Sequence, residues 1–391
     1  HCQRSEAIQN IHNKREKMTI QEFKSYAKNQ LQNSPSPDLD IQVILEHFLK
    51  LSKTQILINK DKNLSELEVA TLSDAIAKRK SGLPIAYITN QKEFYGYNFY
   101  VTPDVLIPKP DTEILVEKAI DFIIAKIENN SDKIFTICDM CTGSGCIAIS
   151  VFRTLVDSHK IPLSKMPKFT LVDISEKALQ IAKKNAELLC TKDELYNLHF
   201  IQSNLFENIQ YSYDVILSNP PYIPHSMVQK LLQDGRSEPV LALDGDITLF
   251  GERAKSSDGK EKDDGLEIIR NLIPQSKEHL SPRGIILMET GEYNAKETSQ
   301  IAKTYDFKTE IFTDLEDQLR VVVMENSKTT LCDSRGKPEN DIKHKFENDI
   351  KHKFENEDYF SNLYNKHSPT SILNLNSKLY FHTLRNKHRN S

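Results

Sequence analysis

Residues 218–224 read SNPPYIP and directly follow an apolar stretch from Tyr213 to Leu217. Two adjacent prolines cannot continue a sheet or enter a helix, because each lacks a backbone N–H and fixes its own φ. The segment therefore predicts a rigid loop at the end of a buried strand. This loop carries one amide side chain, Asn219, and one aromatic ring, Tyr222.

The residue types in this loop suit the alkylation of a planar nitrogen. The Asn219 side-chain oxygen and a proline carbonyl can together accept both N–H bonds of a primary amide or an exocyclic amine, and Tyr222 offers an apolar face. Holding both hydrogens orients the delocalised nitrogen lone pair toward an electrophile and stabilises the positive charge that develops. Pro220 and Pro221 keep the acceptors in place. Hydride transfer needs none of these features.

A glycine-containing turn lies between a predicted strand at 134–138 and a predicted helix at 145–156. Gly143 and Gly145 lack a Cβ, so a ligand can approach the backbone closely at this turn. Together with Ala148 they also fit the relaxed dinucleotide pattern G-x-G-x-x-A. A nicotinamide or flavin enzyme and a purely structural turn therefore both stay open at this point.

Polar residues also end the second and third predicted strands. Asp173 ends the second strand, where a carboxylate can accept both hydroxyls of an adenosine ribose, although the position also suits a helix N-cap ahead of Ser175. The third strand ends at residues 202–206, QSNLF, where a polar side chain followed by apolar ones predicts contact with an adenine ring. These features indicate an adenosine cofactor without identifying it.

Three regions with different hydrophobic patterns must position these residues. Hydrophobic residues recur at helical spacing across residues 18–90, which predicts a small helical bundle. Residues 91–110 contain aromatic and β-branched residues around Gly96 and predict a linking β-hairpin. Residues 111–326 alternate apolar strands with amphipathic helices, which predicts an α/β domain with a mainly parallel sheet. Ligands bind outside the carboxyl ends of the strands in such sheets.

Three segments differ from these domains. A polar, lysine-rich insertion, 247–263, interrupts the connection between the Pro-Pro loop and its following helix. Residues 1–17 lack the apolar region of a secretory signal, and Met18 is the expected initiator, so we interpret 1–17 as a disordered extension. Residues 327–391 contain ENDIKHKF twice in tandem. This polar repeat cannot bury a core and predicts a disordered tail, whose basic end leaves contact with RNA open.

The composition indicates a cytoplasmic protein without a membrane segment. The net charge of −4 disfavours a protein whose whole surface binds nucleic acid. The six cysteines include a single C-x-x-C at Cys138 and Cys141 and no second pair, so we expect reduced thiols and no metal. No apolar run is long enough to cross a bilayer.

The sequence resembles the HemK/PrmC family, the class I S-adenosylmethionine-dependent methyltransferases that methylate the glutamine side chain of peptide-chain release factors. The resemblance covers about residues 18–325. The motifs that carry it are SNPPYIP at 218–224, TGSG at 142–145, GLPIAYITNQKEFYGYNFYVTPDVLIPKPDTE at 82–113, EPVLALDGD at 238–246 and METG at 288–291.

This resemblance implies a Rossmann-like, mainly parallel seven-stranded sheet, S-adenosylmethionine as the cofactor and release factors as partners, with no metal. The cofactor-binding residues that it implies are Thr142, Gly143, Gly145, Asp173, Asn204, Leu205 and Asn219. The implied catalytic residues are Asn219, Pro220 and Tyr222, and those near the substrate are Pro221, Pro110 and Thr112. The helical bundle would dock the release factor so that its Gly-Gly-Gln loop reaches the Asn-Pro-Pro-Tyr pocket.

The chain departs from the family pattern at four places. Cys141 replaces a glycine, Asn204 replaces an aspartate, Lys109 replaces an arginine, and the 247–263 insertion splits the motif ALDGG-x-DGL. We expect these changes to weaken cofactor binding without abolishing it. Two alternatives stay open: an adenine-amine methyltransferase acting on nucleic acid, because such enzymes share the Asn-Pro-Pro-Tyr motif, and a remnant that binds release factors without turnover.

Overall fold

A computed structural model describes residues 18–129, 134–159, 161–233 and 237–326. The predicted extension at 1–17 and the predicted tail at 327–391 lie outside these described residues. The described chain forms an N-terminal helical part, a short hairpin and an α/β part. No helix in these ranges is both long enough and apolar enough to cross a membrane.

The N-terminal part consists of short helices that bury one shared core. They are α1 (Ile20–Gln30), α2 (Pro37–Leu49), α3 (Lys53–Ile58), α4 (Glu66–Lys80) and α5 (Ile85–Thr89). Thr19, Ser52 and Ser65 begin α1, α3 and α4 with capping boxes, which satisfy the free backbone N–H groups there. An ion pair of 2.7 Å between Arg79 Nε and Asp40 Oδ2, both largely buried, joins α4 to α2.

The predicted hairpin is present but shorter than its predicted range. Strands β1 (Gln91–Phe94) and β2 (Tyr97–Tyr100) pair in antiparallel fashion, and Gly96 turns between them with a φ of +80°. Beyond Tyr100 the chain leaves the strand conformation. There Val101 and Val105 are buried in a cluster that also contains Tyr87 of α5.

The α/β part contains the predicted alternation of strands and helices. Its strands are β3 (Thr136–Met140), β4 (Lys168–Asp173), β5 (Leu198–Gln202), β6 (Tyr213–Ser218), β7 (Leu280–Glu289), β8 (Phe307–Thr313) and β9 (Leu319–Asn326). Its helices are α6 (Glu113–Asn129), α7 (Cys146–Asp157), α8 (Glu176–Leu189), α9 (Lys192–Leu195), α10 (His225–Gln233), α11 (Glu267–Glu278) and α12 (Ala295–Thr304).

The strands form one seven-stranded sheet in the order β5-β4-β3-β6-β7-β9-β8. The first five strands are parallel, and β9 runs antiparallel to both of its neighbours, which confirms the predicted mainly parallel sheet. Successive residues of β3 and β6 point into two different core clusters: Ile137 and Leu217 into one, and Cys138 and Ile216 into the other. Both faces are therefore buried, as expected for parallel strands with continuous apolar runs.

A buried asparagine fixes the hairpin to the α/β part. Asn185 on α8 accepts a hydrogen bond from the Tyr100 backbone N–H at 2.6 Å through Oδ1. Its Nδ2 donates to the carbonyl oxygens of Tyr100 at 3.0 Å and Ser144 at 2.9 Å. Ser144 belongs to the glycine turn after β3, so this one side chain connects the hairpin to that turn.

Candidate active site

The sheet order places four of the predicted site residues in a row. Strands β5, β4, β3 and β6 are consecutive neighbours and parallel, so their carboxyl ends lie at one edge. Asn204, Asp173, Gly143 and Asn219 lie at or just beyond these ends, in that order. Three strand spacings correspond to about 14 Å, so the edge suits an elongated ligand.

The glycine turn and Asp173 are directly connected. Gly143 N donates to Asp173 Oδ2 at 2.8 Å, and Ser175 N donates to Asp173 Oδ1 at 2.9 Å. The position of a Cβ on Gly143 would meet nothing within 4 Å, so the space beside this turn is open. Gly145, with a φ of +78°, would carry a Cβ 2.9 Å from Ile149 Cδ1, so the turn packs closely on α7. Burial raises the pKa of the Asp173 carboxyl.

Asp139 is a second buried carboxylate at this turn, and the sequence analysis did not single it out. Its Oδ2 accepts hydrogen bonds from Thr142 Oγ1 at 2.6 Å and from Ala148 N at 3.3 Å. Among the described residues nothing bonds to its buried Oδ1. Burial raises its pKa to about 7. The signal was an aspartate inside the apolar strand, where a carboxylate is costly unless it serves a partner.

These observations fit an adenosine cofactor that carries a cationic methionine portion. The open turn at Gly143 admits a ligand next to the backbone, and the orphaned Asp139 oxygen suits a positively charged group. The Thr142 side chain is itself buried and bonded to Asp139, so it organises the turn.

The residues that follow β5 lie partly at the edge of the sheet and partly in the core. The Asn204 Nδ2 donates to the backbone carbonyl of Leu249, in the insertion, at 2.8 Å. Leu205 adopts a φ of +48°, and its side chain packs into the core. Phe206 stacks on His279 with ring centroids 4.7 Å apart. The Asn204 side chain thus lies at the edge of the sheet, beside the insertion.

Cys141 occupies a backbone conformation that favours glycine, with a φ of +61°. Left-handed conformations cost a residue with a Cβ about 1 to 2 kcal/mol. Cys138 and Cys141 are free thiols, and burial raises the pKa of both. Both therefore stay protonated near neutral pH, as expected for reduced, unreactive thiols.

The Asn-Pro-Pro-Tyr loop and the upstream block meet at one buried glutamate. Asn219 Nδ2 donates to Thr112 Oγ1 at 3.3 Å, and Tyr222 OH donates to Glu289 Oε1 at 3.1 Å. The Thr112 side chain lies close enough to Glu289 to act on the pKa of its carboxyl. These contacts bring together Asn219 and Tyr222 of the SNPPYIP motif and Thr112 of the upstream block, so residues from two separate motifs lie side by side.

Glu289 ends β7 and was quoted in the METG motif without a role. It is 1% exposed, and its Oε2 has no hydrogen-bond partner among the described residues. Burial raises its pKa to about 7, although the bonds from Thr112 and Tyr222 act in the opposite direction. In the sequence, the feature that could have indicated a role for Glu289 is its position as a glutamate at the end of an apolar strand.

Backbone contacts hold the loop in place. Ile223 N donates to the Leu243 carbonyl, and Gly245 N donates to the Ile223 carbonyl, each at 2.9 Å. Asn294 Nδ2 donates to the Tyr222 carbonyl, also at 2.9 Å. Gly265, with a φ of +70°, lies so close that a Cβ there would overlap the Tyr222 carbonyl. The loop is thus fixed independently of any substrate.

The insertion does not separate the two halves of the motif that it splits. Asp246 Oδ1 accepts from Gly265 N at 2.8 Å, and Asp246 Oδ2 accepts from His225 N at 3.1 Å. Gly245 also packs directly against the Gly265 backbone. We call these contacts between 245–246 and 264–265 the neck of the insertion.

The remaining predicted residues lie on the upstream block and in the Asn-Pro-Pro-Tyr loop. Pro110 is exposed and begins the short turn Pro110–Thr112, while Pro220 is buried and Pro221 half-buried. Lys109 Nζ lies 2.6 Å from Glu238 Oε1, a buried carboxylate that also accepts from Ile107 N at 3.3 Å. The lysine therefore provides the cation that this buried carboxylate requires.

Comparison with known proteins adds independent findings. Residues 22–89 match the family model of the PrmC N-terminal domain, and residues 114–257 match that of the methyltransferase small domain. A release factor glutamine methyltransferase of Borreliella burgdorferi is 35% identical over 309 residues, 78% of this chain and 94% of that protein. One from Koribacter versatilis is 35% identical over 312 residues, 78% of this chain and 98% of that protein. A bifunctional methyltransferase of Rickettsia typhi is 32% identical over 301 residues, 73% of this chain and 53% of that protein.

Proposed function

The chain belongs to the release factor glutamine methyltransferase family, and from this premise we propose its substrate, cofactor and site residues. It transfers a methyl group from S-adenosylmethionine to the side-chain amide nitrogen of the glutamine in the Gly-Gly-Gln motif of peptide-chain release factors. The activity is cytoplasmic, because release factors act on the ribosome.

The cofactor lies along the edge formed by β5, β4, β3 and β6. Asn204 lies at the adenine, Asp173 at the ribose, and the turn 142–145 with Asp139 at the methionine portion. When bound, S-adenosylmethionine supplies an electrophilic methyl group on a sulfonium. The orphaned Asp139 oxygen and the open turn at Gly143 support this placement.

One observation carries the assignment of Asn219, namely its hydrogen bond to Thr112. Because Asn219 Nδ2 donates to Thr112 Oγ1, the acceptor Oδ1 stays available for the substrate.

The chain promotes the reaction by orientation and by charge stabilisation. Asn219 Oδ1 and the Pro220 carbonyl accept the two N–H bonds of the substrate amide, and Tyr222 packs against its flat face. This arrangement would orient the nitrogen lone pair toward the methyl group that a bound cofactor would supply, and it would stabilise the positive charge that develops on nitrogen until one N–H proton is released. No covalent bond forms between the substrate and the enzyme.

The charges around the pocket support a protein substrate over a nucleic acid. Asp244, Asp246, Asp263, Asp264 and Glu289 all lie on the segments that contact the Asn-Pro-Pro-Tyr loop or its following helix. His225, which directly follows the loop motif, bonds to Asp244 at 2.5 Å. The arginines on the same segments, Arg253 and Arg270, are paired with Asp244 and Asp264, whereas a groove for phosphates would need basic groups free to bind them.

The proposal is tested by incubating the chain with labelled S-adenosylmethionine and an unmethylated release factor. Mass spectrometry then locates the label, which we expect on the glutamine of the Gly-Gly-Gln peptide. Asn219→Ala should lower turnover by about a hundredfold or more, as losses of preorganised polar groups do. The dissociation constant of the cofactor, measured by calorimetry, should change little.

The matched control is Asn98→Ala, an amide removed from an exposed position on β2. It should leave both quantities unchanged. Label on a nucleic acid in place of the release factor would support the adenine-amine alternative. Cofactor binding without any label would support the non-catalytic remnant. Equal losses of turnover and cofactor affinity in Asn219→Ala would contradict the role given to Asn219.

A further inference from the structure

The insertion at 247–263 touches the end of the site where the adenine is proposed to lie. The carbonyl of Leu249 accepts the hydrogen bond from Asn204 Nδ2 at 2.8 Å. The half-buried side chains of Ile247 and Leu249 pack against the core cluster that contains Leu205 and Phe206. The insertion is therefore joined to the residues that follow β5 by both polar and apolar contacts.

This contact determines which way the Asn204 amide faces. A backbone carbonyl can only accept a hydrogen bond, so the NH₂ end of Asn204 must lie toward Leu249. The Oδ1 end then faces the other way, and no donor in the described part of the chain is bonded to it. Asn204 is half-buried, so this free acceptor lies at the edge of the sheet within reach of a ligand.

We propose that the insertion is a positioning element for adenine recognition, in which the Leu249 carbonyl holds Asn204 so that its Oδ1 accepts a hydrogen bond from the exocyclic amine. The inference rests on the proposed function, because it takes S-adenosylmethionine as the ligand. A carboxylate in place of this amide would direct an oxygen at the Leu249 carbonyl and be repelled. An asparagine at 204 and a backbone carbonyl from the insertion are therefore compatible with each other. They are two of the departures from the family pattern, and a hydrogen bond joins them.

The turn that carries Leu249 is held in place by its own hydrogen bonds. Thr248 N donates to the Glu252 carbonyl at 2.7 Å, and Ala254 N donates to the Asp246 carbonyl at 3.0 Å. Ile247 pairs with Arg253 across the base of this turn. A second turn, closed by the pairing of Lys255 with Glu261, lies beyond it. The two turns provide a test segment and a matched control.

The test is a cycle of variants in which the dissociation constant of S-adenosylmethionine is measured by calorimetry. Replacing residues 248–252 by Gly-Gly removes the Leu249 carbonyl while the paired ends keep a two-residue hairpin. Replacing residues 256–260 by Gly-Gly shortens the second turn by the same amount. Both changes are made in the unmodified chain and in the Asn204→Asp chain, and circular dichroism verifies folding.

We expect the effect of the first shortening to change sign between the two backgrounds. With Asn204 present it should weaken cofactor binding about fivefold, the equivalent of one neutral hydrogen bond. In the Asn204→Asp chain it should strengthen binding, because it removes the carbonyl that repels the carboxylate. Shortening the second turn should change binding in neither background.

A second readout examines the exocyclic amine itself. Binding of S-adenosylhomocysteine is compared with binding of its counterpart in which hypoxanthine replaces adenine. The unmodified chain should prefer the adenine compound. Shortening residues 248–252 should reduce this preference about fivefold, because Asn204 is then free to turn its NH₂ end toward the oxygen of hypoxanthine. A segment with a merely structural role would weaken both compounds equally.

Each result decides the inference. Equal effects of the first shortening in both backgrounds, or unchanged affinity, overturn it while leaving the proposed function intact. Absence of cofactor binding in the unmodified chain contradicts the proposed function itself. If the shortened chain does not fold, Asn204→Asp is compared with Asn204→Ala in the full chain. The aspartate variant should bind more weakly because of repulsion, and equal or stronger binding overturns the inference.

Discussion

At the scale of single residues, the buried carboxyl of Glu289 makes stability depend on pH. Burial raises its pKa to about 7 from an ordinary value of 4.5. The folded protein therefore holds this proton more tightly than the unfolded chain does. Stability from this group is fully present below the unfolded pKa and falls as pH rises through the interval up to the folded pKa.

Glu289→Gln keeps an acceptor for Tyr222 but cannot ionise. Between about pH 5 and about pH 8, the free energy of unfolding of this variant should rise by roughly 2.5 kcal/mol relative to that of the unmodified chain. Urea unfolding at the two pH values measures the difference. Glu187→Gln, an exposed glutamate on α8, is the control and should give a difference near zero at both. A constant offset for Glu289→Gln would contradict the raised pKa.

At the scale of elements, Gly265 controls the position of the Asn-Pro-Pro-Tyr loop. Gly265 and Gly259 both have positive φ, +70° and +82°, so an alanine pays the same backbone strain at either. A Cβ on Gly265 would overlap the Tyr222 carbonyl, whereas one on Gly259 would meet nothing within 4 Å. The pair therefore separates loop displacement from strain.

Gly259→Ala should cost about 1 kcal/mol of stability and leave methyl transfer unchanged. Gly265→Ala should cost about 3 kcal/mol, because overpacking adds to the strain, and should also reduce turnover strongly. Thermal or urea unfolding and the release-factor assay measure the two effects. Similar losses in both variants would show that the contact with Tyr222 does not hold the loop.

The elements also show what the sequence could reveal. The central strands were predictable because parallel strands buried on both faces are continuous apolar runs, and β6 covers the apolar stretch from Tyr213 to Leu217 that the sequence indicated. The helices α3, α5, α9 and α10 were not predicted. The first three contain four to six residues, fewer than two helical turns. A segment this short cannot show the spacing of hydrophobic residues that identifies a helix. α10 begins directly after the proline-rich loop, so the sequence pattern does not indicate where the loop ends and the helix begins.

The candidate site was predictable where one motif carries all of its parts. The glycine turn and the Asn-Pro-Pro-Tyr loop are local in sequence, and so is the placement of Asp173 at a strand end. The Thr112–Glu289 contact and the bond from Asn204 to Leu249 join residues from distant segments. Such pairings depend on the packing of the whole sheet, and nothing in the spacing of single residues encodes them.

At the scale of the whole molecule, Asn185 connects the hairpin, and through it the N-terminal helices, to the glycine turn after β3. All three of its bonds are to backbone groups, and the side chain is fully buried. Asn185→Asp keeps the shape but loses both N–H bonds, so an oxygen would face the Tyr100 and Ser144 carbonyls. We expect a loss of about 3 kcal/mol in stability.

The same variant should also weaken cofactor binding, because the turn that contains Ser144 loses its support. Urea unfolding and calorimetry measure the two quantities. Asn63→Asp, at an exposed position in the helical part, should change neither. If Asn185→Asp lowers stability while cofactor affinity is retained, the contact of the glycine turn with the hairpin does not affect cofactor binding.

The neck of the insertion has a consequence for how this protein can vary. Asp246 and Gly265 hold the chain ends together whatever lies between them. The segment beyond the neck can therefore change in length while 245–246 and 264–265 stay in contact beside the Asn-Pro-Pro-Tyr loop.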